Sequence, residues 1–303
     1  MFLDGLFKDK GEKIFDDLEL EARKKSESLW VAYIYYRRMI NNKFSSDGND
    51  SIYNIYANKG MDELDLFIEK NDYNYANVKK SDLEIYQYLR VRFVDAIVEA
   101  YLIDNKYELA AIYIKKLLNK GSYGEFDAFE SEAYFLLGFS YLYASKGEEA
   151  LENFQKAYNI YEKSSMHKHH YDYFRFFNGM SHAYMAMKDY DGIITVNNKA
   201  KSLIDKEFER FGDDSDSYYL SNFIIHYEIA YALIHKGEVK EARVELDKAV
   251  EILSLKQREN QFVCVYHQVE ALYFAEVGKY EKAKAHIEKS EDCFKTRKVG
   301  ISI

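Results

Sequence analysis

The residues of this chain able to do chemistry at close quarters are few. Three histidines fall within Met166-His167-Lys168-His169-His170, a tract that could hold a transition metal. No Cys or Asp partner stands at ligand spacing, so a solvated loop is expected there and no metal site. Asp213-Asp214-Ser215-Asp216 resembles the opening of a calcium loop, but the glycine at the sixth and the glutamate at the twelfth position are missing. Cys264 and His267 share one helical face, as a nucleophile and base could, although the position suits packing better. No phosphate-binding loop, dinucleotide fingerprint, nucleophile elbow or HExxH pattern occurs. Neither a catalytic residue nor a cofactor is expected.

Binding chemistry is better represented. Asp95, Glu99, Glu132, Phe135, Phe139, Arg175, Asn178, His182, Tyr227, Tyr231 and Gln268 recur at matched offsets along the chain. Amides can offer a donor and an acceptor to a strand-like backbone. Arg175 can clamp a carboxylate. The acidic residues can meet a basic side chain, and Phe135, Phe139 and Tyr231 can cup an apolar one. The mixture suits an extended peptide.

These offsets come from a repeat, the first feature to seek in a long chain. Ser131 to Glu162 reads SEAYFLLGFSYLYASKGEEALENFQKAYNIYE. Numbered from Ser131, Tyr134, Leu137, Gly138, Tyr141, Ala150, Phe154 and Ala157 fall on positions 4, 7, 8, 11, 20, 24 and 27, the tetratricopeptide framework; only the proline at position 32 is lacking. Small residues at 8, 20 and 27 permit close helix approach, and large ones at 4, 7, 11 and 24 fill the gaps around them. Weaker copies start near Val91, Phe174, Phe223 and Cys264. Position 27 recurs at Leu117, Ala157, Ala200, Ala249 and Ser290, at intervals of 40, 43, 49 and 41 residues, so loops longer than the minimal unit are expected around 121–124, 165–170 and 212–217. In this geometry positions 2, 5, 9, 12 and 13 of each first helix face the concave groove, and the binding candidates lie on 2, 5 and 9.

The expected fold is all-α: a right-handed tetratricopeptide-type superhelix of about five hairpins over residues 91–303, preceded by an N-terminal helical subdomain over 1–90. Composition agrees. The 303 residues contain no proline, where average usage would give about fifteen, which favours long helices with short turns. Hydrophobic residues make up 48%, and 29 tyrosines supply rings with a polar tip for half-buried seams. A net charge of −9 without a basic stripe argues against direct nucleic-acid binding and favours a cationic partner surface. No apolar run approaches membrane-spanning length and no secretory leader is read at Met1–Lys10. Two cysteines, Cys264 and Cys293, are read as thiols in a reducing cytoplasm. The N-terminal region is expected to hold one long helix over Lys13–Ile40, a turn at Phe44–Asp50, and helices over Ser51–Ala57 and Gly60–Leu89, broken near 71–77.

Five hairpins at these intervals behind a helical segment resemble the Gram-positive cytoplasmic peptide-pheromone receptors. Within Ala128–Ile204, the AYFLLGFSY run, the FQKAYNIYEKS helix end and the FFNGMSHAYMAMKDYDGII unit are most similar to the Rap group, as is ESLWVAYIYYRRMI at 27–40. The resemblance implies a short signalling peptide in the groove. It also implies a protein partner, a response regulator or transcription factor, held by the N-terminal helices through Glu27, Trp30, Tyr35 and Arg37. Phosphatase members place a glutamine just before the paired tyrosines. Here that position falls near Lys25 and no glutamine occurs from Met1 to Tyr86, so the resemblance does not carry phosphatase activity over; Glu27 would be the substitute. The alternative readings are a general interaction scaffold without a peptide ligand and a response-regulator aspartate phosphatase. Open solenoid edges also allow a homodimer.

Overall fold

A computed structural model describes residues 2–43, 50–72, 77–119, 127–164, 170–211, 216–255 and 262–296. Every regular element among them is α-helical: α1 Phe2–Lys24, α2 Ser28–Lys43, α3 Asp50–Glu69, α4 Lys80–Ile103, α5 Tyr107–Asn119, α6 Asp127–Tyr143 and α7 Gly147–Lys163. They continue as α8 His170–Met187, α9 Tyr190–Phe211, α10 Asp216–His235, α11 Val239–Leu255, α12 Phe262–Glu276 and α13 Tyr280–Thr296. The fold class is all-α and of tetratricopeptide type. Most of the expected 121–124, 165–170 and 212–217 loops, the histidine tract before His170, the acidic tract before Asp216 and the turn before Asp50 lie outside the described residues.

The repeat frame carries its own turn. Position 15 is left-handed in all five units: Asn105, Ser145, Lys188, Gly237 and Gly278 have φ between 58° and 78°. Four of these turns close by the same pair of bonds. Asn105 N–H donates to the Leu102 carbonyl and Lys106 N–H to Tyr101. Lys188 and Asp189, Gly237 and Glu238, and Gly278 and Lys279 repeat the pattern. This is the Schellman closure, which satisfies the last carbonyls of the first helix. The second helix then starts two residues on, at Tyr107, Gly147, Tyr190, Val239 and Tyr280. Gly237 and Gly278 take the left-handed backbone without cost; Asn105 and Lys188 hold it through the same bonds.

The chain forms two compact units, Met1–Ala144 with Asn159–Ser164, and Ser145–Tyr158 with Ser165–Ile303. In the first, α2, α3 and α4 pack on one another, α1 lies on α2, and α4 also touches α5 and α6. Residue 90 lies inside α4, so the N-terminal helices run into the first repeat without a linker. The long helix expected over Lys13–Ile40 is two helices. Ser26 takes φ 57°, and Ser26 and Glu27 N–H bond back to Arg23 and Ala22, the same closure that ends each repeat's first helix. Conversely, the helix expected over Ser51–Ala57 and the first part of that expected over Gly60–Leu89 are one, α3, which ends at Glu69 ahead of the expected break, and α4 begins at Lys80 beyond it. Gly60 sits in the middle of α3 because the Phe93 ring of α4 would stand 2.1 Å from any Cβ there.

In the second unit α8 packs on α9, α10 on α8, α9 and α11, and α12 on α10, α11 and α13. The small framework positions are where helices meet: Ser181, Ala230, Ala242 and Ala249 are fully buried. Phe154 of α7 is fully buried, and its ring stands 2.7 Å from where a Cβ on Gly179 of α8 would be. The expectation of two free thiols is corrected here. Cys264 and Cys293 form a disulfide between α12 and α13, with Cα atoms 5.4 Å apart. The reason is geometric: the hairpin brings positions 1 and 30 of the last repeat face to face, 29 residues apart in sequence. The Cys264 sulfur is therefore bonded and is not a nucleophile beside His267.

Candidate functional site

Two groups of candidate residues have distinct surroundings. In the first unit, the groove candidates from α4 and α6 divide by burial. Asp95 is half-buried, and Arg92 Nη1 approaches it to 3.5 Å. Glu99 and Glu132 are half-buried. Phe135 and Phe139, read as a cup for an apolar side chain, are instead only 6% and 9% exposed. Their rings meet edge to face at 4.9 Å, and Phe139 leads on to Tyr143, which stacks on Tyr107 at 5.7 Å. Both phenylalanines are packing residues of α6, a helix that buries Ala133, Phe135, Leu137 and Phe139 on alternate positions and so has no single solvent face.

The N-terminal helices present a different surface. Trp30 is 57% exposed, and its ring meets Tyr33 edge to face at 5.9 Å. Tyr33 continues to Tyr36, and Tyr36 to Tyr88 of α4 at 5.6 Å, their hydroxyl oxygens 2.7 Å apart. Burial, and then the shared hydrogen bond, push the Tyr36 hydroxyl up to about 12. Arg92 lies over the Tyr88 ring at 5.3 Å. Glu27, in the α1–α2 turn, and Arg37 are exposed. Tyr35, expected on the partner surface, is 4% exposed and faces inward. It donates to Glu19 Oε1 at 2.6 Å and accepts from Arg23 Nη2 at 3.0 Å. Arg23 also reaches Glu63 at 2.8 Å, so this cluster ties α1, α2 and α3 together.

In the second unit the candidates converge on a residue that sequence reasoning passed over. Glu228 of α10 is fully buried. Its Oε1 accepts from Asn178 Nδ2 at 3.0 Å, and its Oε2 from Ser181 Oγ at 2.6 Å and Asn197 Nδ2 at 3.0 Å. His182 Nε2 lies 3.2 Å from Oε1, with its side chain 37% exposed. A buried carboxylate must be paired or fully hydrogen-bonded, and this one has three neutral donors and one imidazole. Burial on its own disfavours the imidazolium, but the hydrogen bond to Glu228 and its charge outweigh that, so the His182 pKa is raised. One amide hydrogen of Asn178 is thereby committed to the protein interior.

The remaining candidates surround this centre unevenly. Tyr227 and Tyr231 follow each other on α10. Burial drives the Tyr227 hydroxyl far above its usual range. Tyr231 meets His235 edge to face at 4.5 Å, and His235 stacks on Tyr190 at 4.9 Å. Arg175 is half-buried on α8, and Gln268 is exposed on α12. A signal for the missed centre did exist in sequence. Position 6 of the frame reads Ala96, Leu136, Gly179, Glu228 and Val269, and position 24 reads Ile114, Phe154, Asn197, Leu246 and Ile287. One unit has a carboxylate and the unit before it an amide at knob positions that are otherwise apolar or small.

The class that fold and turn geometry define is the tetratricopeptide-type helical-repeat protein. Solved structures agree. The apo form of RapI matches with a TM-score of 0.53 at 19% identity, over 91% of this chain and 67% of that one. BtubC (BKLC) from P. vanneervenii matches with 0.59 at 12% identity, over 82% of this chain and 96% of that one. The TPR-like repeats of a Podosopora anserina putative kinesin light chain match with 0.52 at 17%, over 68% and 95%. These similarities establish the fold. No protein-family model matches the chain, and a search of curated proteins gives no match either. Among the described residues no helix is long and apolar enough to cross a membrane.

Proposed function

We propose that this protein is a peptide-responsive regulator: a short signalling peptide lies along the first helices of the repeats, and its binding alters how the N-terminal helices hold a protein partner. The Glu228 centre carries the reading. A buried acceptor fixes Asn178 and His182, at positions 5 and 9 of α8, while Tyr227 and Tyr231 occupy the same positions of α10. Side chains held by a hidden partner are preorganised, which lowers the entropic cost of engaging a ligand. The partly exposed ring of His182, whose pKa is raised by Glu228, and the guanidinium of Arg175 suit a peptide carboxylate. Partner binding is assigned to the exposed Trp30–Tyr33–Tyr88 surface with Arg37, which fits a response regulator or a transcription factor. Any coupling is limited by the difference in peptide affinity between the two partner-binding states.

A general interaction scaffold is the second reading, favoured by one observation: Phe135 and Phe139 are inside, which removes the apolar cup from the first unit. Phosphatase activity through Glu27 has only the exposure of that side chain in its support. A cytoplasmic setting accords with the Rap resemblance, while disulfides persist in oxidising compartments. It therefore requires Cys264 and Cys293 to react as thiols in protein kept reduced.

The test is a thermal-shift screen against short synthetic peptides encoded by small open reading frames beside the gene. Saturation at 100 times Kd stabilises by about 2.7 kcal/mol. A shift lost in Asn178→Ala and Tyr231→Ala supports the peptide reading. Absence of any shift, with a protein captured through Trp30, favours the scaffold.

A further inference from the structure

The second helix of each repeat carries a knob at position 24: Ile114, Phe154, Asn197, Leu246 and Ile287. Four of these are sealed, at 0%, 0%, 2% and 0% exposure, whereas Ile287 is 50% exposed. Interior hairpins show why. Phe154 is pressed against Gly179 of α8, and Asn197 of α9 reaches Glu228 of α10, so the first helix of the next hairpin covers the knob. Position 31 behaves alike: Tyr161 and Ile204 are buried, but Phe294 is 40% exposed. Tyr280, at position 17, is 71% exposed. On α13 these three residues are spaced by seven, with Lys284 and Glu291 exposed between them, which makes one continuous seam of coiled-coil type.

We propose that this seam binds the same seam of a second copy, with the two α13 helices antiparallel across a two-fold axis at Ile287. The sequence is self-complementary about that point. The axis sets Ile287 on its own counterpart and Tyr280 opposite Phe294, and it brings Lys284 to within one residue, about 1.5 Å of rise, of Glu291 on the other copy, twice over. Lys284 and Glu291 are about 10.5 Å apart along one helix, too far to pair within it, so their opposite signs find their use between copies. Glu291 also has Lys295 of its own helix at 3.6 Å, an exposed contact that leaves the carboxylate available. The Cys264–Cys293 disulfide anchors α13 to α12 beside Phe294, so a firmly held helix presents the seam. One helix pair buries less than the ~1,200 Å² of a standard interface, so the dimer is concentration-dependent.

Sedimentation velocity of the 303-residue protein across a range of concentrations tests this, with circular dichroism to confirm each variant's fold. The wild type is expected to pass from monomer to dimer as concentration rises. Lys284→Glu and Glu291→Lys should each remain monomeric, because each places like charges beside one another at both contacts. An equimolar mixture of those two variants should dimerise again, because one chain then offers two glutamates and the other two lysines. A wild type that stays monomeric throughout overturns the proposal. So does a dimer that survives both variants, a mixture that fails to associate, or a chain that dimerises only after residues 297–303 are removed, which would make that segment the cover.

Discussion

Two buried charges, one in each compact unit, are held in opposite ways. In the N-terminal helices, Arg38 is surrounded by an excess of carboxylates: Asp16 at 2.6 Å, Glu19 at 3.0 Å and Glu12 at 3.6 Å. Aromatic rings of Phe15, Tyr35 and Tyr56 lie within 6.0 Å of its guanidinium. Two of those carboxylates keep contact with water, Asp16 at 72% and Glu12 at 36% exposure. In the repeats Glu228 is sealed and depends on neutral amides, a hydroxyl and one imidazole. Permanent ion pairs with a wet rim make a fastening that tolerates change. A sealed carboxylate with donors from two other helices makes a fixed point, and fixed points are where binding geometry can be built.

The largest break in that contrast is Glu228→Leu. It leaves the Asn178 amide and the Ser181 hydroxyl without their buried acceptor, while Asn197 keeps Ser181 Oγ and the Ile193 carbonyl, and should cost ~3–5 kcal/mol in urea unfolding. Arg38→Leu should cost less, ~1–3 kcal/mol, because Asp16 and Glu12 can return to water and Glu19 keeps Arg23. Tyr35→Phe removes one hydroxyl from that cluster and should cost ~0.5–1.5 kcal/mol by the same measurement.

The smallest effect has the clearest sign. His182 has a raised pKa in the fold, so its contribution is complete below the ordinary value near 6.5 and is lost as pH rises through the raised value. Glu19 behaves oppositely. Burial raises its pKa, but the hydrogen bonds from Tyr35 and Arg23 and the charges of Arg23 and Arg38 outweigh this and lower it. Its contribution is present above 4.5 and is lost as pH falls through the lowered value. Urea midpoints against pH should therefore lose the alkaline decline in His182→Gln and the acid decline in Glu19→Gln.

The repeat region could be read from sequence because its constraints are local. Ala150, Phe154 and Ala157 announce helix contacts at fixed offsets, and Gly237 and Gly278 announce turns. The α1–α2 break could not be read, since Lys25-Ser26-Glu27 contains neither glycine nor proline and the hydrophobic period runs on through it. The turns at Ser145 and Lys188 are read from the repeat frame, although neither residue type announces a left-handed backbone. The disulfide depends on hairpin register, which two distant cysteines do not reveal. Asn178 and His182 were legible from their frame positions, whereas Glu228, which aims them, was visible only as a polar residue where its counterparts are apolar or small. Frame position puts Phe135 and Phe139 in the groove and the family resemblance puts Tyr35 on the partner surface, and neither reports how many neighbours cover a side chain.

The fixing of Asn178 and His182 by Glu228 for an extended peptide is the proposal on which the rest depends. Its most direct test is calorimetric titration of a peptide identified by thermal shift into wild-type and Glu228→Gln protein, both shown to be folded by circular dichroism. An affinity loss of about tenfold or more, ~1.4 kcal/mol, is expected, because the amide turns a donor toward Ser181 and Asn197 and no longer holds the His182 ring by its charge. Unchanged affinity in a folded Glu228→Gln protein would contradict it.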